Sequence, residues 1–138
     1  MRLKGKVIVV TGGSQGIGEA LARRYAREGA RVAILNRNAE KGRAVAADIV
    51  RQGGEAVAIG CDVGRIASID AAVTAVRAQL GPIDVLVNNA GAYLMTPLGE
   101  TSEEAFDTMM NANIKSVFFL SQAALPDFTR AGRGKIIN

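Results

Sequence analysis

Apolar positions along the chain alternate between two periods. Short runs of β-branched and aliphatic residues, bounded by glycine or polar residues, predict buried strands, because a strand inside a sheet is apolar on both faces. The predicted strands are Val7–Val10, Arg31–Leu35, Glu55–Gly60, Ile83–Val87 and a short fifth strand that starts at Lys135.

Between these runs the apolar residues recur at helical spacing. The predicted helices run from Gly16 to a stop at Gly29, over Ala39–Arg51, over Ile66–Leu80, and from Thr101 to about Leu125. Thr101–Glu104 reads Thr-Ser-Glu-Glu, the pattern of a capping box at a helix start. We expect Pro126 to end or kink this last helix, because proline lacks the backbone N–H that a helix interior needs.

The alternation of strands and helices predicts an α/β fold. Strands that are apolar throughout are typical of a parallel sheet covered on both faces, and right-handed crossovers favour the doubly wound strand order 3-2-1-4-5. We expect a single domain over residues 1–138. The fifth strand begins only at Lys135, so the sheet is expected to be incomplete at its C-terminal side.

Composition narrows the classes of function. The chain is 49% hydrophobic and 22% charged, with a net charge of +4, one cysteine and no histidine. A disulfide framework is excluded, and we expect no metal site. The basic residues are scattered rather than clustered, and no apolar run approaches the roughly 18 residues of a membrane span, so we expect neither a nucleic-acid nor a membrane partner. The cytoplasm is the predicted location.

The segment Thr11–Gly18 reads TGGSQGIG and joins the first strand to the first helix. Glycines in this position permit a tight turn, the close approach of a pyrophosphate, and close packing of helix on sheet, while the helix N-terminus faces the phosphates. A glycine-rich structural turn is the alternative. No lysine follows the last glycine, which excludes a Walker loop. The candidate cofactor-binding residues here are Gly12, Ser14, Gln15, Gly16, Ile17 and Gly18.

Asn36 and Arg37 follow the second strand, where an acidic residue would bind the ribose 2′-hydroxyl of NAD. A neutral amide followed by a guanidinium favours a 2′-phosphate instead. The pair therefore predicts NADP(H) in preference to NAD(H), with Ser14 or Gln15 as further contacts. The alternative is that Arg37 is a solvated loop arginine.

Two further groups follow the third and fourth strands. Asp62 is a candidate acceptor for an adenine amino group, with Val63 against the ring, although Asp62 could equally cap a helix or form a turn. Asn88–Gly91 reads NNAG, and Asn89, Ala90 and Gly91 would let a cofactor lie close to the strand ends. Taken out of context, these residues would be only a turn.

Together these motifs resemble the short-chain dehydrogenase/reductase family from Lys6 to Asn138. The resemblance implies a Rossmann-like fold and an NAD(P)(H)-dependent oxidoreductase that moves a hydride between nicotinamide and an alcohol or carbonyl carbon. It also implies a catalytic role for Asn113, which would kink the long helix and hold a water in a proton relay. Asn113 shares a helical stripe with apolar residues, so we expect a buried amide. The stripe contains Phe106, Met109, Met110, Val117 and Leu120.

The family's catalytic Ser and Tyr-x-x-x-Lys pair would follow Asn138. Tyr25 and Tyr93 have no lysine four residues later, and no histidine is present to replace them. We therefore expect residues 1–138 to carry the cofactor-binding half of a truncated domain and to be inactive alone. A non-catalytic nucleotide-binding module and one half of a split enzyme are the alternatives. An open fifth strand and an uncovered helix face predict self-association or a homo-oligomer.

Overall fold

The computed structural model describes all residues, Met1–Asn138, and contains one five-stranded parallel sheet. The strands are β1 (Val7–Thr11), β2 (Arg31–Asn36), β3 (Glu55–Gly60), β4 (Val85–Val87) and β5 (Lys135–Ile137). The helices are α1 (Gly16–Arg27), α2 (Ala39–Arg51), α3 (Ile66–Leu80), α4 (Glu103–Met110) and α5 (Ser116–Ala131). The spatial order is β3-β2-β1-β4-β5, which confirms the predicted topology.

Helices cover both faces of the sheet, because side chains along each strand point alternately to the two faces. Val7 and Val9 of β1 pack with α3 and α5, whereas Ile8 and Val10 pack with α1 and α2. The central strands β1 and β2 are almost entirely buried. None of the helices is long and apolar enough to cross a bilayer.

The long helix differs from its prediction in three ways. Its N-cap is Ser102, whose hydroxyl accepts a hydrogen bond from the Ala105 N–H at 3.1 Å, so the cap lies one residue later than predicted. A π-helical turn, Asn111–Lys115, joins α4 to α5. Pro126 does not end α5, which continues to Ala131.

Pro126 is tolerated because of where it lies on the helix. The missing N–H frees the carbonyl of Gln122, and both residues are on the exposed side, where water can satisfy that carbonyl. On the opposite side Asp127 is buried and accepts hydrogen bonds from the Ile83 N–H and the Arg77 guanidinium, each at 3.0 Å. These contacts hold the last turns of α5 against the start of β4, which begins at Val85 rather than at Ile83 as predicted.

Candidate functional site

A cleft of about 760 Å³ opens at the carboxyl ends of β1 to β4. All strands of the sheet are parallel, so the segments that follow them meet at this one edge. Most of the predicted cofactor-binding residues line the cleft. They are Gly12, Ser14, Gln15, Gly16, Ile17, Asn36, Arg37, Asp62, Val63, Asn89, Ala90 and Gly91. Gly18 lies behind the turn, and Asn113 lies outside the cleft lining.

Two glycines bring the turn after β1 close to the segment after β4. Gly12 has φ +65°, and a Cβ there would lie 3.1 Å from both the Cα of Ala90 and the Nδ2 of Asn89. A Cβ on Gly18 would overlap the Gly12 carbonyl. Both positions therefore exclude any larger side chain in this backbone arrangement.

The N-terminus of α1 faces the cleft with free N–H groups. The first backbone hydrogen bond of α1 is donated by the Glu19 N–H to the Gln15 carbonyl, at 3.1 Å. Gln15 is the N-cap and makes no side-chain hydrogen bond to the first turn. The N–H groups of Gly16, Ile17 and Gly18 thus have no protein acceptor, and the positive end of the helix dipole points at the same place.

Thr11 joins β1 to the segment after β4. Its buried hydroxyl accepts hydrogen bonds from the N–H groups of Asn89 at 3.0 Å and Ala90 at 2.9 Å. The Asn89 amide in turn donates to the Thr11 carbonyl at 3.0 Å. These bonds fix the NNAG segment, with its small residues along the cleft wall.

Cations collect at the end of the cleft formed by the β2–α2 and β3–α3 turns. Arg37, Lys41 and Arg65 line it, and none of them belongs to an ion pair of the chain. Asn36 is buried at the same end, and its amide donates to the Asn38 carbonyl. This end of the cleft is consequently electropositive and suited to an anion.

Asp62 adopts the turn role that was one of its two interpretations. One carboxylate oxygen accepts a hydrogen bond from the Gly64 N–H at 3.0 Å, and the Asp62 N–H donates to the Ser68 hydroxyl at 2.9 Å. The other oxygen makes no hydrogen bond to the protein, so Asp62 retains an acceptor at the cleft wall. Burial raises the pKa of the neighbouring Cys61 thiol, which disfavours the thiolate form through which a cysteine reacts.

The prediction of a buried Asn113 amide is wrong. Asn113 lies in the π-helical turn and is exposed, as is Phe106 of the same predicted stripe. The extra residue in a π turn rotates the helix surface, so the spacing of a regular helix does not carry through this segment. Both polar atoms of the Asn113 side chain bind the backbone of Ala92, next to the cleft.

Five polar or charged cleft residues were not among the candidates predicted from the sequence: Asn38, Lys41, Arg65, Thr108 and Asn111. A signal existed for Lys41, because a residue in the first turn of α2 must lie near Arg37. Thr108 and Asn111 are three residues apart and therefore share one face of a helix. Arg65 carried no such signal, since its place depends on how the β3–α3 turn folds.

The arrangement matches known proteins. The family model described as short chain dehydrogenase matches residues 6–138. Sorbitol dehydrogenase of Cereibacter sphaeroides is 45% identical over 100% of this chain and 53% of its own length. D-threitol dehydrogenase of Mycolicibacterium smegmatis is 42% identical over 99% of this chain and 53% of its own length. The chain thus spans about half the length of the curated relatives it matches.

A solved structure has the same fold. The crystal structure of a metagenomic short-chain oxidoreductase in complex with NADP aligns with a TM-score of 0.95 and 43% sequence identity. The alignment covers 100% of this chain and 63% of that one. The family match over residues 6–138 and the agreement in fold lead to one conclusion: this chain belongs to the short chain dehydrogenase family.

Proposed function

We propose that residues 1–138 bind NADP(H) for an oxidoreductase that interconverts an alcohol and a carbonyl compound. The observation that carries the proposal is the cleft itself. At one end it presents the free N–H groups of Gly16 and Ile17, and at the other it presents unpaired cations. A dinucleotide with a pyrophosphate and an additional 2′-phosphate has anionic groups suited to both ends.

The glycine turn would hold the pyrophosphate. A Cβ at Gly16 would meet no atom within 4 Å, so the open space in front of α1 belongs to the cleft. The dipole of α1 stabilises negative charge at this position, and Ser14 and Gln15 lie beside it as additional donors. Gly12 and Gly18 would keep the turn pressed against Ala90.

The remaining cleft residues would hold the two nucleosides. Arg37 would bind the 2′-phosphate beside the neutral Asn36, which supports NADP(H) over NAD(H). The free carboxylate oxygen of Asp62 would accept from the adenine amino group, with Val63 against the ring. On the other side of the turn, Asn89, Ala90 and Gly91 would line the path toward the nicotinamide.

The cofactor supplies the hydride when bound, and the chain's own residues supply binding and position. Asn113 would act by holding Ala92 beside the cleft, since both of its polar side-chain atoms are already engaged there.

The reaction also requires a proton donor. Tyr25 packs against the core around α1, and Tyr93 is 80% exposed with no lysine four residues later. We therefore expect residues 1–138 by themselves to show no turnover with NADPH and ketones, aldehydes or quinones.

A direct titration tests the proposal. The purified chain should bind NADPH about tenfold more tightly than NADH, as expected for one charge-assisted phosphate–arginine contact. The double variant Asn36→Asp, Arg37→Ala should reverse that order, because a carboxylate repels the 2′-phosphate and accepts from a 2′-hydroxyl. Equal binding of both nucleotides, or tighter binding of NADH, would refute the preference. If the chain binds neither nucleotide, the proposed cofactor site is wrong. Turnover by residues 1–138 alone would refute the expectation that these residues lack a proton donor.

We also infer that the chain self-associates through α4, α5 and the π-helical turn between them. Their outward side bears exposed large apolar residues, which soluble monomers seldom present together. The residues are Phe106, Met110, Ile114, Phe118 and Leu125. Sedimentation should give a mass above that of one chain, and Phe118→Ser should lower it. A monomer at all concentrations would refute the inference.

A further inference from the structure

Gly42 lies inside α2, where glycine lowers the stability of a helix. It is buried, three residues into a helix of 13 residues that starts at Ala39, and glycine in a helix interior is less stable than alanine. Its neighbours on the same face of α2, Val45 and Ala46, pack into the core. A glycine here therefore calls for a reason in the packing around it.

The side-chain amide of Asn36 supplies that reason. A Cβ on Gly42 would overlap Oδ1 of Asn36 and would lie 3.1 Å from its Cγ and 3.2 Å from its Nδ2. The whole amide thus fills the niche left by the missing side chain. Asn36 is only 7% exposed, its Nδ2 donates to the Asn38 carbonyl, and its Oδ1 accepts from no donor.

This packing has a consequence for the cleft. At the end of β2, a side chain could extend toward a bound ribose, but the Asn36 amide is turned back against α2 instead. The same amide holds the carbonyl of Asn38, and the Asn38 side chain caps α2 by accepting from the Lys41 N–H at 3.1 Å. The turn is fixed on both sides of Arg37, which lies between Asn36 and Asn38 and faces the cleft.

We propose that Gly42 is a positioning residue that sets the preference for a 2′-phosphate without touching the nucleotide. By leaving room for the Asn36 amide, it keeps that amide packed against α2 at the cleft wall and holds Arg37 in place. A side chain at position 42 expels the amide from its niche, breaks its bond to Asn38 and releases the turn that carries Arg37. The inference rests on the proposed function, since it concerns the same site.

The test is a double-mutant cycle on the 138-residue chain. Gly42→Ala should lower the ratio of NADPH to NADH affinity about tenfold, the equivalent of one charge-assisted contact. In an Asn36→Ala background the same change should leave the ratio unaltered, because the three atoms that the new Cβ would meet are gone. Gly99→Ala is the matched control: a Cβ there would meet nothing within 4 Å, and both affinities should be unchanged.

Thermal unfolding provides a second readout that needs no nucleotide. Gly42→Ala should lower Tm when Asn36 is present and raise it in the Asn36→Ala background, where only the better helix propensity of alanine remains. An unchanged or higher Tm with Asn36 present would overturn the inference. So would an unchanged affinity ratio in a wild-type background that prefers NADPH. If the wild-type chain binds neither nucleotide, the proposed function fails, and the preference assigned to Gly42 fails with it.

Discussion

Asn113 and Ala92 exchange two hydrogen bonds across 21 residues of sequence. The Asn113 Nδ2 donates to the Ala92 carbonyl at 2.7 Å, and the Ala92 N–H donates to the Asn113 Oδ1 at 2.9 Å. The pair ties the π-helical turn to the segment that follows β4, beside the cleft. A Cβ on Gly91 would lie 3.0 Å from the same oxygen, so this contact depends on the small residue next to it.

Asn113→Ala should therefore loosen the cleft wall more than it destabilises the fold. The lost bonds are exposed to solvent, so the free energy of unfolding should fall by only about 1 kcal/mol in urea. Hydrogen exchange at the Ala92 amide should become much faster. Asn111→Ala is the control, because the Asn111 side chain makes no hydrogen bond within the protein. Unchanged protection of Ala92 in the Asn113 variant would contradict this account.

The fold followed from the sequence wherever local pattern and tertiary packing agree. The strand order and the bounds of α2, α3 and β3 were predicted to the residue, because apolar period, glycine stops and crossover handedness all pointed the same way. The prediction that the long helix stops at about Leu125 was wrong, because the effect of Pro126 depends on whether the freed carbonyl faces water. That is a tertiary property, which the sequence around Pro126 does not contain.

The sequence also predicted which residues would meet in one cleft, but not how each side chain is oriented there. The cleft gathers Gly12, Arg37 and Asp62 because they follow parallel strands, and strand ends can be read from sequence. The exposure of Asn113 could not be read, since one extra residue in a π turn shifts the helical register. The niche at Gly42 also requires knowledge of how the Asn36 side chain turns.

The two glycines of α1 should respond differently to substitution. Gly18→Ala places a Cβ against the Gly12 carbonyl and should cost about 2–3 kcal/mol of stability, because the backbone on both sides must shift. In Gly16→Ala the new Cβ meets no atom within 4 Å. The free energy of unfolding should fall by only about 1 kcal/mol, because alanine is strained at a φ of +55°. Urea denaturation of both variants measures the difference. An equal or larger loss at Gly16 would contradict the packing described for Gly18.

Substitutions of Arg37 and Arg43 test whether nucleotide affinity depends on a charge in the cleft or on the net charge of the chain. Arg37→Ala should weaken NADPH binding about tenfold and leave NADH binding unchanged. Arg43→Ala removes the same charge from α2, but Arg43 lies outside the cleft, so it should change neither affinity by more than a small factor. Fluorescence titration at two salt concentrations checks this. A matching loss in both variants would indicate a general effect of net charge.

Asp84 should make stability depend on pH at the opposite edge of the sheet. Partial burial disfavours its charge, but hydrogen bonds from the Val7 N–H and the Lys6 ammonium, both at 3.0 Å, outweigh burial and lower the pKa of Asp84. A carboxyl group with a lower pKa when folded stabilises the fold above its ordinary value of 3.8, and this contribution is lost as the pH falls through the folded pKa.

Asp84→Asn should accordingly reduce the free energy of unfolding at pH 7 by about 1–2 kcal/mol and flatten its decline in acid. Asp70→Asn, which replaces an exposed carboxylate without an ion pair, should do neither. Urea unfolding between pH 7 and pH 3 measures both. Parallel acid profiles for wild type and Asp84→Asn would show that Asp84 does not couple stability to pH.

We infer that NADPH lies in the cleft at the strand ends, with its pyrophosphate on α1 and its 2′-phosphate at Arg37. Amide chemical shifts of the ¹⁵N-labelled chain, followed during an NADPH titration, are the decisive measurement. The largest changes are expected at Ser14–Gly18, Arg37, Asp62–Gly64 and Asn89–Gly91, with NADH leaving Arg37 almost unaffected. Changes confined to other surfaces, such as the groove at Arg43, Val50 and Gln79, or no saturable change at all, would refute this placement.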